Sequence, residues 1–141
     1  MAKKIKGNQV VLGSINFLDS GGSNFTTTSA TNVDITGITT TYTTGPTPER
    51  LYIWFQGMVM NSAVASGEVT LSINGTDQTD LSAYKDDSGQ WDNFCKMYIY
   101  DAPANTAIVI KGRAKNSGGN TLTFHRSAPY TSSIRGFATS Q

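Results

Sequence analysis

The chain has 141 residues, a formal net charge of +1 and 15% charged residues, where about 25% is usual. That length supports one domain with its own core, and so balanced a charge gives no field of the kind that draws nucleic acid. A single cysteine, Cys95, excludes an internal disulfide and a cysteine-rich metal site. Its apolar surroundings in the sequence predict a buried, inert thiol. Thr, Ser, Gly and Asn fill the space that charge leaves, which suits strands and turns better than helices. No apolar stretch approaches the roughly 20 residues that cross a bilayer.

Residues 1–23 differ from the rest of the chain. Lys3, Lys4 and Lys6 precede a short alternating piece, Gln9–Leu12, then Ile15-Asn16-Phe17-Leu18, and Asp19–Ser23 closes the segment as a Gly/Ser hinge. The basic start resembles the head of a signal peptide, but Val10-Val11-Leu12 is shorter than the apolar block of about 7–15 residues that such a peptide needs. The chain is therefore expected to be made in the cytosol and left unprocessed. An arm is predicted here: Val10, Leu12, Ile15, Phe17 and Leu18 dock on another surface, and the three lysines suit an anionic partner. Without it, the domain at 24–141 is expected still to assemble.

From Asn24 onward the pattern is β. Phe25–Thr28 and Asn32–Thr43 are Thr-rich strands, with a phase slip at Thr36-Gly37 that predicts a bulge or a bend between sheets. After Gly45-Pro46-Thr47-Pro48 comes Leu51–Met60, LYIWFQGMVM, which is apolar on both faces. Leu51, Ile53, Phe55, Gly57 and Val59 fall on one side, and Tyr52, Trp54, Gln56, Met58 and Met60 on the other. Such a strand needs cover twice over: from a second sheet and from a neighbour. Val69–Ile73 alternates cleanly into Asn74-Gly75, a strong hairpin signal, with Thr76–Leu81 returning. Trp91–Tyr100, Thr106–Arg113, Thr121–His125 and Thr131–Ala138 complete the strands, and Asn116–Asn120 (NSGGN) is expected to be a second hairpin turn. About eight short strands with turn chemistry between them imply an all-β antiparallel sandwich or jelly roll with an extended N-terminal arm.

The chemistry-bearing residues are sparse. His125 has no second histidine to make a metal pair or a proton relay, no serine sits in a nucleophile elbow, and neither Gly-rich loop carries a phosphate-binding lysine. Asp77, Asp80, Asp86 and Asp87 cluster around one hairpin, but their spacing matches no calcium loop and Lys85 lies among them; a solvated acidic loop is expected. Trp91 and Tyr84 flank a polar loop and are the candidates for stacking on a sugar ring. No catalytic residue, metal or cofactor is expected, and neither nucleic acid nor membrane as a partner.

The run FTTTSATNVDITGITTTYTTGPTPERLYIWFQGMV within Asn24–Val59 resembles a pattern of tailed-phage structural proteins: a threonine-rich edge, a V-D-I-x-G-I-T strand, a Pro/Gly turn and a strongly apolar strand. VTLSINGTD and IVIKGRAKNSGGNTLTF are similar to two later hairpins of that group. The likeness covers about residues 24–126 and implies a trimeric jelly roll of the tumour-necrosis-factor-like type, found in capsid decoration proteins, head fibres and tail-fibre tips. No shaft or coiled-coil heptad precedes the domain, which favours decoration over a fibre. The expected role is a capsid decoration protein on the outer surface of the virion, partnered by itself as a homotrimer and by the major capsid protein. Tyr52, Trp54, Met58 and Met60 would form the trimer interface, and Lys3, Lys4, Lys6, Val10, Leu12, Ile15 and Phe17 the capsid-binding arm. The alternative is a receptor- or glycan-binding tip of a head or tail fibre that uses Trp91 and Tyr84.

Overall fold

In a computed structural model the chain is all-β, and the described residues are 11–18, 21–64, 66–78, 83–85, 89–116, 119–127 and 132–141. The described residues form eleven strands: β1 (Val11–Leu18), β2 (Phe25–Thr27), β3 (Val33–Thr43), β4 (Glu49–Asn61), β5 (Gly67–Ile73), β6 (Thr76–Asp77), β7 (Ala83–Lys85), β8 (Asp92–Ala102), β9 (Ala107–Asn116), β10 (Leu122–Phe124) and β11 (Ser133–Ser140). They form two antiparallel sheets packed face to face. In the first, β8 pairs with one edge of β4. The other edge of β4 is shared by β11, along Glu49–Gln56, and β10, along Val59–Asn61; β1 and β2 pair outside these. The second sheet runs β3-β9-β5, with β6 and β7 sharing the far edge of β5. The count exceeds eight because three rows, β10/β11, β1/β2 and β6/β7, are each broken into two segments.

Alternation explains the core. The inward row of β4 (Leu51, Ile53, Phe55, Val59) is almost wholly buried, as are Phe94 and Tyr98 of β8 and Val69, Leu71, Ile108 and Ile110 of the second sheet. Phe55 meets Phe94 edge-on at 5.0 Å between ring centroids and lies near-parallel to Phe124 at 5.9 Å. Gly57 makes this possible, since a Cβ there would lie 3.1 Å from both the Phe94 and Phe124 rings. Burial of each such aromatic or aliphatic side chain contributes on the order of 1.5–3 kcal/mol.

Turn chemistry decides the connections. Asn74 (φ 49°) and Gly75 (φ 83°) adopt the two left-handed conformations that a tight hairpin requires, and join β5 to β6 as expected. The register of β3 against β9 shifts between Asp34 and Thr39, around Gly37 (φ 84°), so the bulge is real. The hairpin expected at Asn116–Asn120 is not one. β9 lies in the second sheet and β10 in the first, so this link crosses the end of the sandwich. The buried Asn116 holds the crossing, its side-chain amide donating to Asn61 Oδ1 (3.1 Å) and to the Asn120 carbonyl (2.6 Å).

The domain boundary also moves. The expected arm covers 1–23, but β1 is an edge strand of the first sheet, paired with β11 from Val11 to Leu18. Ile15 is buried in the core and Phe17 packs against it, because alternate β1 side chains point at the second sheet. Lys3, Lys4, Lys6 and Val10 lie outside the described residues.

A buried carboxylate closes the top of the sandwich. Glu49, 2% exposed, accepts hydrogen bonds from Tyr42 Oη and from the Gly45 amide, both at 2.6 Å. Burial, followed by this bond and the Glu49 charge, pushes the Tyr42 phenol up to about 12. An unfolded tyrosine ionises near 10, so the unfolded state loses its proton first and stability falls as pH climbs from about 10 to about 12. Burial also raises Tyr98. Tyr42→Phe is therefore expected to lessen the alkaline loss without abolishing it, which urea-unfolding midpoints measured across that range will show.

Candidate interface on the first sheet

The two outward faces of the sandwich differ in chemistry. On the second sheet, β9 presents Lys111, Arg113 and Lys115, and each meets an acid. Lys111 Nζ lies 2.7 Å from Asp34, Arg113 Nη1 2.8 Å from Asp77 and Lys115 Nζ 3.0 Å from Glu68. That face is solvated and internally neutralised. Asp77, the one described member of the expected acidic loop, is thus an ion-pair partner, which also accepts from Asn32 at 2.8 Å. No group of side chains among the described residues has a metal-binding arrangement.

The first sheet turns an aromatic face outward. In β4 the even positions from Arg50 to Met60 point away from the core, and Tyr52, Trp54, Met58 and Met60 are only half-buried. Phe137 of β11 lies beside them, its ring stacked on Tyr52 at 5.1 Å and tilted against Trp54 at 5.7 Å. Across the strand, register sets Ile99 of β8 opposite Tyr52 and Met97 opposite Trp54. Ile99 is 52% and Met97 44% exposed. Five large apolar side chains thus make one continuous patch across β8, β4 and β11. Patches of this sort on a soluble domain usually mark contact surfaces. Met58 and Met60 continue the row toward the half of β4 that β10 flanks.

Charge is confined to the margins and one central position. At one end, Arg50 donates to both Asp101 oxygens (2.6 and 2.9 Å), and these bonds hold the Asp101 carboxyl below its usual range. Arg135, opposite Trp54 on β11, is exposed and has no ion-pair partner among the described residues. The free edge of β8 is less inviting. Lys96 points inward there, opposite Phe55, a device that discourages edge-to-edge pairing. The face, not the edge, is the candidate contact surface.

The other candidates scatter. Cys95 lies on the outer face of β8 and is exposed, not buried, because Phe94 and Tyr98 take the inward positions. Trp91, before β8, is 37% exposed and packs edge-on against His125 at 4.8 Å. Tyr84 is on β7 of the second sheet, and its side chain lies outside the described residues. Of the arm residues, Leu12 and Leu18 are exposed, whereas Ile15 and Phe17 are committed to the core. The sequence alone does not point to Met97, Ile99 and Phe137 as members of this outer apolar patch. The cross-strand register that sets them beside Tyr52 and Trp54 is a long-range property.

No family model matches the sequence, and no curated protein matches it. Among solved structures, the dimeric latent PorU of Porphyromonas gingivalis is similar in fold, with a TM-score of 0.52 and 11% identity over 94% of this chain. The matched part amounts to 13% of the PorU chain. Such a likeness shows the fold alone.

Since β1 completes the sheet, a chain beginning at Asn24 exposes the edge of β11 and uncovers Ile15's site in the core. Loss of that side chain alone costs about 2–5 kcal/mol by analogy with core truncations. The shortened chain is expected to unfold at markedly lower temperature than the full chain by circular dichroism.

Proposed function

We propose that this chain is a virion structural protein, a decoration subunit that coats a tailed-phage capsid as a homotrimer, with the aromatic face of its first sheet turned inward between protomers. The observation that carries the reading is the outer row of β4, where Tyr52 and Trp54 with Phe137, Met97 and Ile99 form an apolar surface that the described residues leave half-exposed. The occupant is a second copy for two reasons. At about 3.4 Å per residue and about 4.8 Å between strands, an apolar patch 11 residues long and three strands wide spans roughly 540 Å² before side-chain relief. A standard interface takes about 800 Å² from each partner, so the patch supplies the greater part of one. The opposite sheet face is charged and internally paired, which leaves it suited to solvent when the apolar faces meet. In a cyclic trimer the same row from three copies meets around one axis.

A coat subunit works by mass action: a partner that binds only the assembled shell stabilises that shell. No catalytic step is part of the reading. The resemblance of Asn24–Val59 to phage structural proteins supplies the virion context, and the apolar face supplies the assembly.

Light scattering of the full chain is expected to give three times the chain mass. Trp54→Glu, which sets a charge on the face without touching the core, is expected to give the single-chain mass with the β circular-dichroism spectrum retained and a lower melting temperature, since the stabilisation that association supplies is lost. A wild-type monomer at the highest soluble concentration would overturn the assembly. Copy number per virion separates the role from a fibre tip: decoration requires hundreds of copies, a tip only a few or a few tens.

A further inference from the structure

The second sheet carries a hollow that the assembly reading does not use. It has a volume of about 560 Å³ and is lined by Asp34, Ser72, Asn74, Val109, Lys111 and Arg113, with Gly75 at its rim. This lies within the range of roughly 300–1,000 Å³ typical of small-molecule sites. The Asn74-Gly75 turn makes the wall. Asn74 N donates to the Val109 carbonyl at 2.9 Å, and Val109 N donates back to Asn74 Oδ1 at 2.8 Å, so the turn is drawn over β9.

The polar groups inside divide into used and unused. Arg113 is largely engaged: Nη1 on Asp77, Nη2 on the Asn32 carbonyl at 2.6 Å, and Nε ion-paired 3.0 Å from Asp34 without a hydrogen bond among the described residues. Lys111 gives one of its three donors, to Asp34 Oδ2 at 2.7 Å, which leaves two among the described residues. The Asn74 side-chain NH2 has no acceptor among the described residues, and each Asp34 oxygen keeps lone-pair capacity beyond its one cation. Beside these donors and acceptors lies Val109, 38% exposed, a small apolar surface at the same level.

Charge narrows the ligand. Asp34 and Asp77 balance Lys111 and Arg113, so the hollow has no net charge to attract an ion: an anion would face Asp34, and a cation would face Lys111. A neutral ligand whose hydroxyls both donate and accept fits, with a C–H face for Val109. We infer that this hollow binds a neutral saccharide, held by Asp34, Asn74 and Lys111. The site is separate from the Trp91 region, and it stays open to solvent when the first sheets associate, so it stands whether or not the trimer reading does.

The test is a 15N-resonance titration of the full chain with glucose, galactose, N-acetylglucosamine and maltose, alongside glucuronate and glucosamine as charged counterparts. At least one neutral sugar is expected to give saturable shifts centred on Asp34, Asn74, Val109 and Lys111. Lys111→Met and Asp34→Asn are each expected to weaken binding by about tenfold, the effect of losing one or two hydrogen bonds, with spectra otherwise folded. Absence of saturable shifts with every neutral sugar, shifts centred instead on Trp91, or tighter binding of a charged sugar would each overturn the assignment. So would unchanged affinity in both variants.

Discussion

The structure depends on one strand that is apolar on both of its faces. A β-strand sends successive side chains to opposite sides, so β4 faces two environments at once, and it is flanked along nearly its whole length. Its inward row, 0–3% exposed from Leu51 to Val59 apart from Gly57, supplies Phe55, the ring against which Phe94 and Phe124 pack. Its outward row cannot join that core without a slip of one residue, which would expel Phe55 and Ile53 to solvent. Because β8 on one side and β11 on the other hold the register over eleven and eight residue pairs, no slip is available. The outer aromatics are fixed outside by the same bonds that fix the inner ones inside.

That constraint propagates. Strands paired to β4 inherit its phase: Met97 and Ile99 are outward because Phe94 and Tyr98 are inward, and Phe137 is outward because Ile134 and Ala138 are inward. The outer patch is therefore a consequence of the core, assembled from three strands far apart in sequence. On the second sheet the same alternation carries opposite chemistry. Ile108 and Ile110 fill the core while Lys111 and Arg113 face out to acids on β3 and β6. Exposed ion pairs contribute only about 0–1 kcal/mol each, so their main consequence is the polarity of that surface.

How much the sequence reveals is a matter of range. Period-two alternation and turn residues are local, so the strands, the Asn74-Gly75 hairpin and the Gly37 bulge are legible in it. Tyr52 and Trp54 as an outward row are legible too, since both faces of LYIWFQGMVM are visible in ten residues. Sheet membership is not local. NSGGN has the composition of a hairpin turn, yet its first Asn is buried against Asn61 and sends the chain to the other sheet. Val11–Leu18 has no signal that distinguishes a docked arm from an edge strand of the same domain, because both need the same alternation. Cys95 is a poor guide to its own burial, because in a strand the immediate apolar neighbours point the other way.

The pairing of Glu49 with Tyr42 shows what such a fold demands at its ends. Where β3 hands the chain to β4 through Gly45–Pro48, the turn leaves the Gly45 amide without a ladder partner, and a buried donor without one costs about 1–3 kcal/mol. Glu49 satisfies that amide and Tyr42 together, and is itself acceptable in the interior because two donors reach its carboxylate. Gly13 of β1 lets the Tyr42 ring reach it, since a Cβ there would lie 2.5 Å from the phenol oxygen. The first strand, the crossing between sheets and the start of the central strand are thus tied at a single point. That tie is one reason β1 belongs to the body of the domain and not to a detachable arm.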